Sequence, residues 1–167
     1  VGAFYNWGER GGWQYELEVS YTRRIGSHMA LSIAHSWSEY RNPLAWYDMD
    51  STGGAATYGD RYIFASLRAS AARIGTRVNY YFSPALSLEM YVEPFAASGK
   101  FSDHGELAAV RTSSIRQYGT DGTTITRDDL GYHISDGADS FNLPDRDFGD
   151  RSFQSNVVLR WEFSRGS

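Results

Sequence analysis

Hydrophobic and polar residues alternate with a period of two along most of this chain, as in strands with one apolar and one wetted face. From Trp13 to Tyr21 the odd positions are Trp13, Tyr15, Leu17, Val19 and Tyr21. The even positions are Gln14, Glu16, Glu18 and Ser20. Residues 23–27, with Gly26, supply a turn. The next run sets Met29, Leu31, Ile33 and Trp37 against Ala30, Ser32, Ala34, Ser36 and Ser38. From 62 to 82 the even positions carry Tyr62, Phe64, Ile74, Val78, Tyr80 and Phe82 without a slip in phase. That stretch reads as one long strand or as two broken near 67–70. A three-residue turn at 83–85 leads into Leu86, Leu88, Met90 and Val92, alternating with Ser87, Glu89, Tyr91 and Glu93. The last strand alternates Phe153, Val157, Leu159, Trp161 and Phe163 with Gln154, Asn156, Arg160 and Glu162.

Two stretches break the pattern. Asn42-Pro43 and Gly53-Gly54 mark a loop near 41–60, and residues 98–150 read as a long polar connection rich in Gly, Asp, Ser and Thr. Apolar residues do not recur at helical spacing over any long window. The fold class predicted is all-β: an antiparallel up-and-down meander of long strands, in a single domain over 1–167. Runs of about 10 to 13 residues suit a tilted membrane crossing, whereas strands of soluble sandwiches average about 5 to 6. The rings at strand ends (Trp13, Tyr15, Trp37, Tyr80, Phe82, Trp161 and Phe163) are placed like interfacial girdles on a lipid-facing surface. The meander therefore reads as part of an outer-membrane-type β-barrel.

Composition supports this. Aromatic residues make up 16% of 167, yet mean hydropathy is only -0.47. A disordered chain lacks such rings, and a helical membrane protein needs an apolar run of about 18 residues or more. A membrane β-barrel shows lipid only every second residue, so it combines greasy strands with low mean hydropathy. Cysteine is absent, which excludes thiolate metal sites and disulfides. A net charge of -4 without a basic run argues against nucleic acid as a partner. The chain opens at Val1, carries no signal peptide, and ends at Arg165-Gly166-Ser167 as if entering a turn. With six or seven strands expected where the smallest membrane barrels close with about eight, the barrel is expected to be incomplete. The remaining strands would lie outside this chain, leaving at least one unpaired edge.

Several strings resemble a known family. They are Tyr62-Ile63-Phe64-Ala65, the run from Arg77-Val78-Asn79-Tyr80-Tyr81-Phe82 through Ser83-Pro84-Ala85-Leu86-Ser87-Leu88, and Tyr91-Val92-Glu93-Pro94-Phe95. Ala97-Ser98-Gly99-Lys100-Phe101-Ser102-Asp103 and Glu106-Leu107 follow, then Phe148 and the run from Arg151 to Phe163. Together, over roughly 62–167, they resemble the C-terminal part of an uncharacterised family of outer-membrane-type β-barrel domains. In that family the barrel follows a module similar to family-nine carbohydrate-binding domains. The resemblance implies a location in the bacterial outer membrane and a link to carbohydrate through a module absent here. It brings no catalytic residues and no cofactor. Two departures stand out: one further apolar strand of the family is missing, and its leucine-rich stretch is diluted to Ala72, Ile74 and Thr76.

Candidate chemistry is sparse. The polar faces carry Glu16, Glu18, Arg73, Arg77, Glu89, Glu93, Arg160 and Glu162, which would line a lumen, anchor a plug or form a structural salt-bridge ladder. The turn at 83–85 predicts Arg77 opposite Tyr91, with Glu89 and Glu93 on its diagonals. Asp145, Asp147 and Asp150 form a weak calcium candidate that matches no calcium-loop pattern. Ser102, Asp103 and His104 suggest a hydrolase, but neighbours on a strand face opposite ways and no Gly-x-Ser-x-Gly elbow exists. No catalytic constellation results. The expected role is a pore, transport or surface-anchoring segment. The rival is a soluble periplasmic or secreted β-sandwich binding carbohydrate, with Trp46 and Tyr47 exposed in a loop, and an outer-membrane hydrolase comes third.

Overall fold

The computed structural model describes residues 1–163; the expected terminal turn at 165–167 lies outside them. Ten strands form two antiparallel sheets: β1 (Gly2–Trp7), β2 (Trp13–Ile25), β3 (Met29–Asp50), β4 (Arg61–Ser83), β5 (Leu86–Leu107), β6 (Ile115–Gln117), β7 (Thr124–Asp128), β8 (Gly131–Asp136), β9 (Asp139–Leu143) and β10 (Phe148–Trp161). The large sheet runs β1-β2-β3-β4-β5-β10, with β6 added beside the end of β5. The small sheet is β7-β8-β9. This is an all-β meander, and its long strands pair with their neighbours in sequence except where β10 returns to β5. Among the described residues β1 and β10 are not paired with each other, so the sheet is open.

The stretch from 62 to 82 lies within one strand of 23 residues, roughly 75 Å of chain. The expected loops shrink. Residues 41–50 continue β3, leaving a connection of only 51–60, and residues 98–107 continue β5. Alternation fails in these extensions because extra residues interrupt the ladder. Asn42 pairs with Leu67 but Ala45 with Ala65, and Trp46 pairs with Phe64 but Asp48 with Ile63. On the other side Ser66 pairs with Ser102 but Phe64 with Gly105. These are β-bulges, where a proline such as Pro43 and a positive φ such as that of Asp103 (55°) fit, left out of the ladder that resumes on either side. The remainder of the expected 98–150 connection holds β6 and the small sheet, and it ends where β10 begins.

Over residues 61–81 β4 is the regular strand and the extra residues belong to its neighbours; its own bulge lies beside the turn, where Tyr81 pairs with Ser87 but Ser83 with Leu86. Its odd positions therefore stay on one face from Arg61 to Tyr81. Near the 83–86 turn that face is polar, with Arg73 and Arg77. Further along it carries Ile63, Ala65 and Ala69, at 0%, 2% and 6% exposure. The small sheet packs there. Tyr47, Ile63, Ala65, Tyr118, Tyr132, Ile134, Phe141 and Leu143 form the hydrophobic core, flanked by Phe101 and Ile125. The molecule thus has a lower region, whose apolar side is uncovered, and an upper region, whose core lies on the opposite side of the same strands.

Gly105 marks a tight joint in the upper region, where β6 meets β5. A Cβ there would stand 2.6 Å from the Arg116 carbonyl oxygen and 2.7 Å from Ile115 Cγ2. Gly105→Ala is expected to push β6 off β5 and cost about 1–3 kcal/mol, read as a lower unfolding midpoint. An unchanged midpoint would show that β6 has room to move.

Candidate functional site

In the lower region the two faces separate cleanly. Cross-strand pairs put Leu17, Trp37 and Ala72 in one row, and Tyr21, Ile33, Thr76 and Val92 in another. The same face continues through Leu88 to Leu159 and through Leu86 to Trp161. Val19, Tyr21, Ile33, Ile74, Met90, Val157 and Leu159 are all exposed on it. The rings expected as girdles fall at its two ends. Tyr15 meets Trp37 edge-on at 4.8 Å beside Trp13, and at the other end Tyr80 packs on Phe82 at 4.7 Å and Trp161 on Phe163 at 6.1 Å. Between them lie nine residues on β3, from Met29 to Trp37, and the same span on β4, from Ala72 to Tyr80. A bilayer crossing needs about 9–11 residues of tilted strand.

The opposite face gathers the eight charged residues named from the sequence. Glu16 and Glu18 lie across β2 from Ser38 and Ser36, and Ser36 pairs with Arg73. Arg77 lies opposite Tyr91, as the turn predicts, and Asn79 opposite Glu89. Glu93 pairs with Gln154 and Ser87 with Arg160. Beyond β10, the Glu162 amide donates to the Ala85 carbonyl. A cleft of about 560 Å³ opens on this face, lined by Glu18, Thr22, Ser36, Arg73, Arg77 and Glu93 among others. The ladder of ion pairs reduces to one contact among these residues, Arg73 Nε to Glu93 at 3.5 Å. Arg77 instead lies over the Tyr91 ring at 5.6 Å, and Tyr91 Oη donates to Glu93.

The upper region holds charge that no local motif announced. Arg61, 6% exposed, donates to Glu106 at 2.8 Å and to Asp136 at 2.9 Å. Arg116 reaches Glu106 at 3.2 Å and Asp136 at 2.8 Å, and also binds Asp121. Tyr118 Oη donates to Glu106 at 3.2 Å; burial, aided by that carboxylate, raises its pKa and keeps it a donor. The network ties β8 to β4, β5 and β6 through side chains far apart in sequence. One signal for the small sheet was in the chain: Asp136-Gly137 between alternating Tyr132/Ile134 and Phe141/Leu143 is a hairpin signature.

Two expectations need correction here. Asp145 and Asp147 do not converge with Asp150. Their carboxylates both hold the Arg127 guanidinium, and Asp150 lies on β10 opposite Ala97. Among the described residues no group of three or more acidic or histidine side chains is placed to share a metal ion. Trp46 and Tyr47 are not a loop pair: both lie in β3, Tyr47 is 1% exposed, and only Trp46 is open, edge-on to Phe64. The Ser102 hydroxyl donates to Asp103, while His104 is buried between Tyr47 and Tyr132.

Acid is expected to loosen the small sheet in two stages. Burial lowers the His104 pKa from 6.5, while Asp147, Asp103 and Asp145 nearby act the other way and Arg127 reinforces it. Below 6.5 the unfolded chain takes up this proton before the folded one does, so stability falls as pH drops past that point. Asp136 is held below 3.8 chiefly by the hydrogen bond from Arg116, so its contribution persists above 3.8 and is lost at lower pH. Amide exchange in β7–β9 should rise in both windows, and His104→Phe should flatten only the upper one. A flat profile from pH 7 to 5 in the native protein would contradict the first stage.

No family model, curated protein or solved structure matches the chain. The family resemblance of residues 62–167 thus rests on their sequence strings alone.

Proposed function

We propose that this chain forms part of the wall of a bacterial outer-membrane β-barrel, with its lower apolar face against lipid and its polar face toward the lumen. One observation carries the reading: a contiguous, uncovered apolar band of membrane-crossing height, edged by aromatic rings, backed by a charged face. Soluble surfaces rarely expose apolar patches beyond a few hundred Å². The connections agree. The β2–β3 and β4–β5 turns at the lower end are short, whereas 51–60 and 108–147 both lie at the upper end. Outer-membrane barrels have short periplasmic turns and long extracellular loops, so the small sheet stands outside the cell. It packs on the lumen side of the wall and narrows that mouth.

Further strands from outside these residues complete the ring, since β1 and β10 are open edges that invite pairing. The role that follows is a pore, a transporter or a surface anchor; the family resemblance links it to carbohydrate. The test is electrophoresis of the full-length protein from an outer-membrane fraction, boiled and unboiled. A folded barrel resists detergent and migrates differently until boiled. Absence of a shift, with the protein soluble in periplasm or medium, would overturn the lipid assignment and favour a soluble carbohydrate-binding β-protein.

A further inference from the structure

At the aromatic edge of the apolar band, three cations stand side by side on neighbouring strands. Arg41 pairs with Arg68, and Arg68 pairs with Lys100. Trp13, at the edge of the band, pairs with Arg41 in the same row, and the Arg68 guanidinium lies 5.7 Å from its ring centre. All four are on the face that is apolar below. Directly opposed like charges destabilise a sheet, so such a row calls for an anion. The protein supplies little: Glu39 binds Arg68 at 2.6 Å, Arg41 Nε donates to the Ser66 hydroxyl at 3.2 Å, and no acidic partner lies within ion-pair distance of Arg41 or Lys100 among the described residues. Asp103, the nearest other carboxylate along β5, accepts from Ser102. Hydroxyls flank the row on both sides, with Ser66 paired to Ser102 above and Ser70 to Ser98 below. Ser70 and Ser98 hydroxyls lie 3.3 Å apart.

The geometry points to a binding site for the phosphorylated headgroup of an outer-leaflet lipid, held by Arg41, Arg68 and Lys100 with its acyl chains down the apolar band. The inference rests on the membrane reading above. Guanidinium groups suit phosphate because they present forked donors, and serine hydroxyls complete the shell. The height matters as much as the charge, since the row holds Trp13, the outermost ring of that edge, and stands one same-face step beyond Tyr15, where headgroups lie.

The test uses the full-length protein in neutral phosphatidylcholine nanodiscs, titrated with diphosphoryl lipid A or its dephosphorylated form and read by native mass spectrometry. The variant is Arg41→Gln/Arg68→Gln/Lys100→Gln. Retention of the diphosphorylated lipid is expected to weaken about tenfold or more in the variant. It should weaken similarly for the dephosphorylated lipid on the native protein. Inorganic phosphate at equal phosphate concentration should not displace the lipid; equal displacement would make this a free-phosphate site and overturn the lipid assignment. Equal retention by native and variant proteins, both inserted and heat-modifiable, would overturn the inference and leave the barrel standing. Failure of the native protein to insert would overturn the barrel reading and this site with it.

Discussion

Replacing Ile33 by arginine is expected to destabilise the membrane-inserted protein by about 2–4 kcal/mol, the cost of a cation at mid-bilayer on a barrel's lipid face. Ile33 is midway between the two aromatic edges, in the row Tyr21, Ile33, Thr76 and Val92. It is 37% exposed, so in a water-soluble protein the same substitution would be nearly neutral. Ser20→Arg is the matched control on the polar face, where an added charge is tolerated. Unfolding from bilayers in denaturant reads both. Equal, small effects at Ile33 and Ser20 would mean that water or protein, not lipid, covers the apolar face.

Arg61→Met should cost about 3–5 kcal/mol and release the small sheet from the wall. The side chain is buried and holds Glu106 and Asp136 together; without it two carboxylates share a poorly solvated space with only Arg116 between them. Breaking one side of a buried pair leaves an uncompensated charge, which is why the loss exceeds that of a surface ion pair. The triple replacement Arg61→Met/Glu106→Gln/Asp136→Asn should recover part of it. Limited proteolysis within 108–147 is the readout. Cleavage no faster in Arg61→Met than in the native chain would show that the hydrophobic core alone seats the small sheet.

The lower region was legible because period-two alternation is undisturbed there. The Ser83–Ala85 turn sufficed to place Arg77 opposite Tyr91, and all eight charged positions share the polar face. The upper region was not legible. Pro43 sits in a bulge, where a proline ordinarily argues against a strand, and each inserted residue flips the side on which apolar positions fall. Residues 41–50 and 98–107 therefore read as loop although the ladder resumes beyond each bulge. The strands of the small sheet are 5 or 6 residues long, too short for their alternation to stand out within a polar connection. Arg61 had no local signature at all, since Glu106 and Asp136 reach it only through the fold.

The return of β10 to β5 has a kinetic consequence. Every other pairing among the long strands joins sequence neighbours, but here residues 108–147 intervene, and closing such a loop as free chain costs entropy that grows with the logarithm of its length. The small sheet, at 124–143, and β6, paired to the end of β5, shorten the free chain that must close. On the membrane reading proposed above, the small sheet is expected to form before the last strand pairs with β5, because that order lowers the entropy cost of closing the loop.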